Sequence, residues 1–171
     1  MISSKRIRIV IAAICLVVVI GGMACNRRQK VSTGGWALQN GQRGTLADYK
    51  GKVVLLDFYA TWCEPCRLET PHLVAMHKQY ETKGLQIIGV NVGGDDDRVE
   101  VPAFAQEFGI EFPLVFPDAK LVDDYLGLNQ NIPQTFVLDR QGNLVKRYVG
   151  FSESRAPELE KIIQSTLAEA R

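Results

Sequence analysis

Cysteine is scarce in this chain, and its few copies are too unevenly placed to form a disulfide framework. Four occur in 171 residues, at positions 15, 25, 63 and 66. A pair three residues apart cannot staple distant parts of a chain, so Cys63 and Cys66 point to redox chemistry or metal binding. Histidine is scarcer still. His72 and His77 are the only two, and a spacing of five puts them on different faces of a helix. Structural zinc, which wants four ligands, is left without a donor set. Neither sign of charge dominates: 20 Lys and Arg against 19 Asp and Glu give a formal net charge of +1. Nothing there supplies the basic footprint of a nucleic-acid binder. Internal repeats and low-complexity tracts are absent, and 46% hydrophobic with 23% charged residues is a globular composition.

What the sequence does have begins with an export signal. Lys5, Arg6 and Arg8 precede the uncharged run Ile9 to Ala24. As a helix that run would span about 24 Å, short of the roughly 30 Å hydrocarbon core and longer than a typical signal peptide's apolar stretch. Two readings stay open. Either GMAC is a lipobox and Cys25 is lipidated, although Gly22 stands where Leu is usual, or residues 1–24 remain as an uncleaved anchor. Both deliver the domain to the outer face of a membrane. Residues 25–35 then read as a polar, basic tether, and 36–171 as a single domain.

Within that domain, VVLLDFYA and LQIIGVNV are short continuous apolar runs, as expected of strands buried on both faces. TLADYKGK reads as one helical turn closed by Gly51. A helix is expected from about Cys63 to Tyr80. Val101, Phe104, Ala105 and Phe108 have helical spacing behind the acidic cluster Asp95–Asp97, predicting one amphipathic helix with carboxylates at its start. A short helix is predicted over Lys120–Leu126. TFVL and LVKRYVGF flank DRQGN as a hairpin with Gly142 in the turn. Leu159, Ile162, Ile163 and Leu167 mark a closing helix. The order β-α-β-α-α-β-β-α implies an α/β fold, a mixed sheet with helices on both faces.

The chemistry concentrates in LLDFYATWCEPCRLETP. A buried strand delivers the chain to a helix start, with Cys63 in the turn between. A sulfur there faces unpaired N–H groups and the positive end of the helix dipole. An interaction of up to about 2 kcal/mol would bring a thiol pKa from about 8.5 to roughly 7, as in thioredoxin itself. Cys63 is therefore the expected nucleophile, exposed and partly ionised. Cys66, one turn further in, is placed to resolve a mixed disulfide. Pro65 suits the first helical turn, and Pro71 should kink the helix. Glu64 sets a carboxylate beside the nucleophile and opposes its ionisation. Asp57, within a buried strand, should have a raised pKa and is a candidate to accept the Cys66 proton. Trp62 is expected both to pack and to face substrate.

These residues carry a resemblance. The chain from about Leu46 to Gly150 resembles the ResA/TlpA branch of the thioredoxin superfamily, within its AhpC/TSA-redoxin-like group: membrane-anchored bacterial thiol:disulfide oxidoreductases. The shared features are GKVVLLDFYATWCEPCRLETP, NVGG, FPLVFPD and NIPQTFVLDRQGNLVKRYVG. The resemblance implies a thioredoxin fold with an extra helical insertion. It also implies a cis bond before Pro133, which would pack on the active-site disulfide and hold substrate. CEPC is similar to the motif of ResA-type proteins, which reduce the haem-attachment cysteines of apocytochrome c. Two positions depart from that pattern. Asp57 matches the buried acid of thioredoxin proper, and Gly94 stands where ResA-type proteins have Glu, leaving Asp95 or Asp57 to supply an acid.

The leading expectation is an extracytoplasmic dithiol that reduces disulfides of partner proteins, with apocytochrome c as one candidate substrate, a membrane thiol as electron donor, and no cofactor or bound metal. Competing readings are a disulfide-forming oxidant and a copper-binding metallochaperone using the same two thiols. A peroxiredoxin is disfavoured, since a peroxidatic cysteine needs no partner at a WCxPC helix start.

Overall fold

Local apolar patterning dictates most of the architecture. The computed structural model describes residues 32–169. In chain order the elements are β1 (Gly35–Leu38), β2 (Arg43–Thr45), β3 (Val53–Tyr59), α1 (Glu64–Tyr80), β4 (Leu85–Asn91), α2 (Asp95–Arg98), α3 (Val101–Phe108), β5 (Leu114–Pro117), α4 (Ala119–Tyr125), β6 (Gln134–Leu138), β7 (Leu144–Val149) and α5 (Ala156–Ala168). The strands form one sheet in the order β2-β1-β5-β4-β3-β6-β7. β3 lies parallel to β4, and β4 to β5, while the remaining pairs are antiparallel.

The two apolar runs occupy the middle of this mixed sheet, and both strands are buried at every position. Side chains alternate along a strand. Val54, Leu56 and Phe58 therefore pack on one face with Leu121 and Tyr125 of α4. Val53 and Leu55 pack on the other with Leu73 of α1 and Leu159 and Ile163 of α5. Asp57 shares the parity of that second set, so its carboxyl is directed into the layer beneath α1. The hairpin also stands as expected, with Gly142 at φ 82° in its turn.

Three strands escape the sequence pattern. β1, β2 and β5 have only three or four residues each, too few for a period of two to show. The acidic cluster and the following apolar positions are likewise two helices, not one. Pro102 at the start of α3 has no N–H to donate to the Arg98 carbonyl, so the helical ladder breaks there.

Part of the segment read as tether belongs to the folded unit. The Ser32 hydroxyl donates to Asp124 at 2.6 Å and the Gly35 N–H to Asp118 at 2.8 Å, fixing residues 32–35 against α4. The apolar run at Ile9–Ala24 and Cys25 lie outside the described residues. Among the described residues, no helix is long and apolar enough to cross a membrane.

Candidate functional site

β3 ends at Tyr59, four residues lead on, and α1 starts at Glu64. Cys63 is the N-cap of α1, with extended backbone (φ −81°, ψ 106°), and its sulfur accepts the Cys66 N–H at 3.3 Å. The Cys63 N–H closes the turn onto the Ala60 carbonyl at 3.2 Å, and the Arg67 N–H reaches the Cys63 carbonyl at 3.0 Å. Pro65 sits in the first turn, where its missing N–H is not needed. The two cysteines are joined in a disulfide, their Cα atoms 5.2 Å apart.

The disulfide rests on Tyr59, Ala60 and Phe104, with Ile132 at its edge. The Ile132–Pro133 bond is cis, and Pro133 is buried at the head of β6. In this oxidised state Cys63 is 5% exposed and Cys66 1%. The expectation of an exposed nucleophile therefore needs correcting. Both sulfurs are packed among Tyr59, Ala60, Phe104 and Ile132, and the accessible features around them are Trp62, 67% exposed, and the exposed Glu64 and Pro65.

The strand and the helix that flank the disulfide, β3 and α1, each carry a buried carboxyl. Asp57 is 4% exposed and its Oδ1 has no hydrogen-bond partner. Across the β3–β6 ladder it stands opposite Thr135, whose hydroxyl donates to Glu69 Oε1 at 2.8 Å. Glu69 is 3% exposed and its Oε2 is also unpartnered. Burial, then the neighbouring Glu69 charge, pushes the Asp57 carboxyl well above the usual range. Burial likewise pushes Glu69 up to about 7, against the opposing pull of Thr135 and Arg155. Burial raises the Tyr59 phenol as well, against the opposing pull of Asn91.

Glu69 was missed, although a signal for it exists. It stands three residues after Cys66, and the buried positions of α1 run Cys66, Glu69, Thr70, Leu73, Val74, Met76, His77 and Tyr80. That is a helical stripe with a carboxylate in it, which a projection of the sequence displays.

The acidic cluster resolves differently from expectation. Asp95 is exposed, and the acid that turns toward the dithiol loop is Asp97. Asp97 is 4% exposed and accepts from the Thr61 N–H at 3.0 Å, from the Thr61 hydroxyl and from Asn91 Nδ2 at 2.6 Å. Gly93 makes room for it, and Gly94 supplies the turn. A Cβ on Gly93 would meet Asp97 Oδ2 at 2.2 Å, and Gly94 has φ +92°, ψ −178°, a conformation essentially reserved for glycine. That backbone accounts for the absence of Glu at this position. Gly93→Ala is expected to destabilise the fold by about 1–3 kcal/mol through overpacking, read as a lowered melting temperature.

Among the described residues, no three His, Cys, Asp or Glu side chains gather in a way that could hold a metal ion.

Comparison with known proteins agrees with this arrangement. The AhpC/TSA family model matches residues 29–147. The thiol-disulfide oxidoreductase ResA of Bacillus subtilis (strain 168) is 37% identical over 111 residues, 65% of this chain and 60% of the relative. The chain thus spans less than two-thirds of the length of this ResA and of those from Geobacillus thermodenitrificans and Geobacillus kaustophilus. The thioredoxin-like protein YneN of the same organism is 32% identical over 154 residues, 82% of this chain and 89% of YneN. Among solved structures, a thiol:disulfide interchange protein of the thioredoxin family from Chlorobium tepidum TLS superposes with a TM-score of 0.69 at 26% identity. That match covers 81% of this chain and 97% of the other. The fold is thioredoxin-like.

Proposed function

From a chain that belongs to the AhpC/TSA family and has a thioredoxin-like fold, we propose a thiol:disulfide oxidoreductase that reduces disulfides of partner proteins outside the cytoplasm. The observation that carries this reading is the Cys63–Cys66 disulfide at the start of α1, between a strand and a helix that each carry a buried carboxyl.

In the reduced protein the Cys63 thiolate attacks a partner disulfide. One partner sulfur leaves as thiolate and takes up a proton, and a Cys63–partner mixed disulfide forms. Cys66 then loses its proton to the Asp57–Glu69 pair, attacks the Cys63 sulfur and expels the second partner thiolate. The partner gains two electrons and the enzyme is left with its internal disulfide. Glu69 lies one turn beyond Cys66 on the same helix face, which suits it to receive that proton. Trp62 and the segment at Pro133 form the surface on which the partner lies, and Glu64 sets a carboxylate at the nucleophile's edge.

The resemblance to ResA supports apocytochrome c as a candidate partner. The basic and apolar N-terminus supports tethering to a membrane, through Cys25 or an uncleaved anchor, within reach of a membrane thiol donor. The reduction potential of the purified protein tests the direction. A value near thioredoxin's, about −270 mV, is expected, and one near DsbA's, about −120 mV, would make the protein an oxidant instead.

A further inference from the structure

The loop that presents Cys63 is held at one residue. Between the end of β3 and Cys63 lie only Ala60, Thr61 and Trp62, and Trp62 is exposed. Thr61 is buried, with every polar atom engaged. Its N–H and hydroxyl both donate to Asp97 of α2, and its carbonyl accepts Arg67 Nη1 of α1 at 3.2 Å. Arg67 is anchored in turn on α3, by an ion pair with Glu107 and by stacking over Phe104 and Phe108 at 5.6 and 5.1 Å. Asp97 is braced from behind by Asn91 at the end of β4. Hydrogen bonds to an ionised group are the strong and directional ones. Here hydrogen bonds from two elements, α2 through Asp97 and α1 through Arg67, converge on the residue two before the nucleophile.

We infer that Asp97, acting through Thr61, is a positioning residue that keeps the Cys63 sulfur at the start of α1. The inference rests on the thiol:disulfide reading of the dithiol. Asp97 does not touch the sulfur. Its role is to fix the approach of the chain, and a sulfur displaced from the helix terminus loses the N–H groups and the dipole that favour its thiolate. Position and charge make opposite demands on the Cys63 pKa. If Asp97 acted only as a nearby negative charge, removing it would ease thiolate formation. If it positions, removing it makes the thiolate harder to form.

The test is the pH profile of Cys63 alkylation by iodoacetamide in the reduced full chain, followed by mass spectrometry. Thr61→Val, which keeps shape and charge but loses the hydroxyl, and Asp97→Asn are both expected to raise the apparent Cys63 pKa by about half a unit. Alkylation at neutral pH then slows roughly twofold. Thr61→Ser, which restores the hydroxyl, is expected to keep the wild-type profile. An unchanged profile in Thr61→Val overturns the inference, as does a lowered pKa in Asp97→Asn. Should Asp97→Asn not fold, the Thr61→Val and Thr61→Ser pair decides alone. Reduction of insulin disulfides by the wild type is a separate measurement. Its absence would sink the oxidoreductase reading, while the alkylation profiles still report on the positioning of Cys63.

Discussion

Cys66→Ser is expected to turn the protein into a trap, accumulating a covalent adduct with its partner, whereas Cys63→Ser abolishes turnover and traps nothing. The asymmetry follows from where the helix begins. Cys63 caps α1, so its sulfur meets the free N–H groups of the first turn. That environment favours a thiolate and therefore attack on an incoming disulfide. Cys66 sits inside the first turn and is 1% exposed. It is the less accessible of the two sulfurs, Cys63 being 5% exposed, and the Cys63 sulfur is within bonding distance of it, as the disulfide shows. With Cys66 replaced, the mixed disulfide on Cys63 has no internal thiol to displace it. Non-reducing electrophoresis and intact-mass measurement after exposure to a disulfide-bonded partner would display the adduct. Full multi-turnover reductase activity in Cys66→Ser would remove the resolving role from that residue.

The sequence made the dithiol legible because its signals are local. A buried run, then WCEPC, then a Gly-free stretch with helical periodicity can hardly fold otherwise, and all of it lies between Val53 and Tyr80. β1, β2 and β5 were hidden because their order comes from pairing, not from pattern. β2 is exposed or half-buried throughout, and β5 follows Pro113 and ends on Pro117. The site divides in the same way. Asp57 could be picked out because it interrupts an apolar strand. Asp97 could not be told from Asp95 or Asp96 in a run of three acids. What buries it is the distant Thr61 and the cleared space at Gly93, and no local pattern encodes either. Glu69 lies between these cases. Its helix face could be read, but its partner Thr135 comes from a strand 66 residues away.

Neutralising Glu69 is expected to stabilise the protein above neutral pH while slowing its chemistry. The Glu69 carboxyl is raised from 4.5 to about 7 in the fold, with burial the leading cause, and Asp57 is raised well above the usual range by burial and by the Glu69 charge. A folded pKa above the unfolded one means that the native state binds the proton more tightly. The stability it contributes is full below about pH 4.5 and is lost as pH rises through about 7. For Glu69 alone the loss is on the order of 3 kcal/mol. Glu69→Gln keeps an acceptor for the Thr135 hydroxyl and mimics the protonated acid. It should match the wild type near pH 4.5 and exceed it in melting temperature by pH 8, with a flatter profile between. Removing the Glu69 charge also relieves Asp57, so part of the remaining slope goes with it. The cost falls on resolution, because Cys66 must give up its proton before it attacks. Stopped-flow decay of the mixed disulfide should accelerate in the wild type as pH rises through about 7, when a carboxylate becomes available to accept that proton. In the double variant Asp57→Asn/Glu69→Gln that limb should vanish, leaving only the slower rise set by the thiol itself. If the limb persists with both acids neutral, the proton leaves Cys66 by another route, and the buried pair serves only to depress stability.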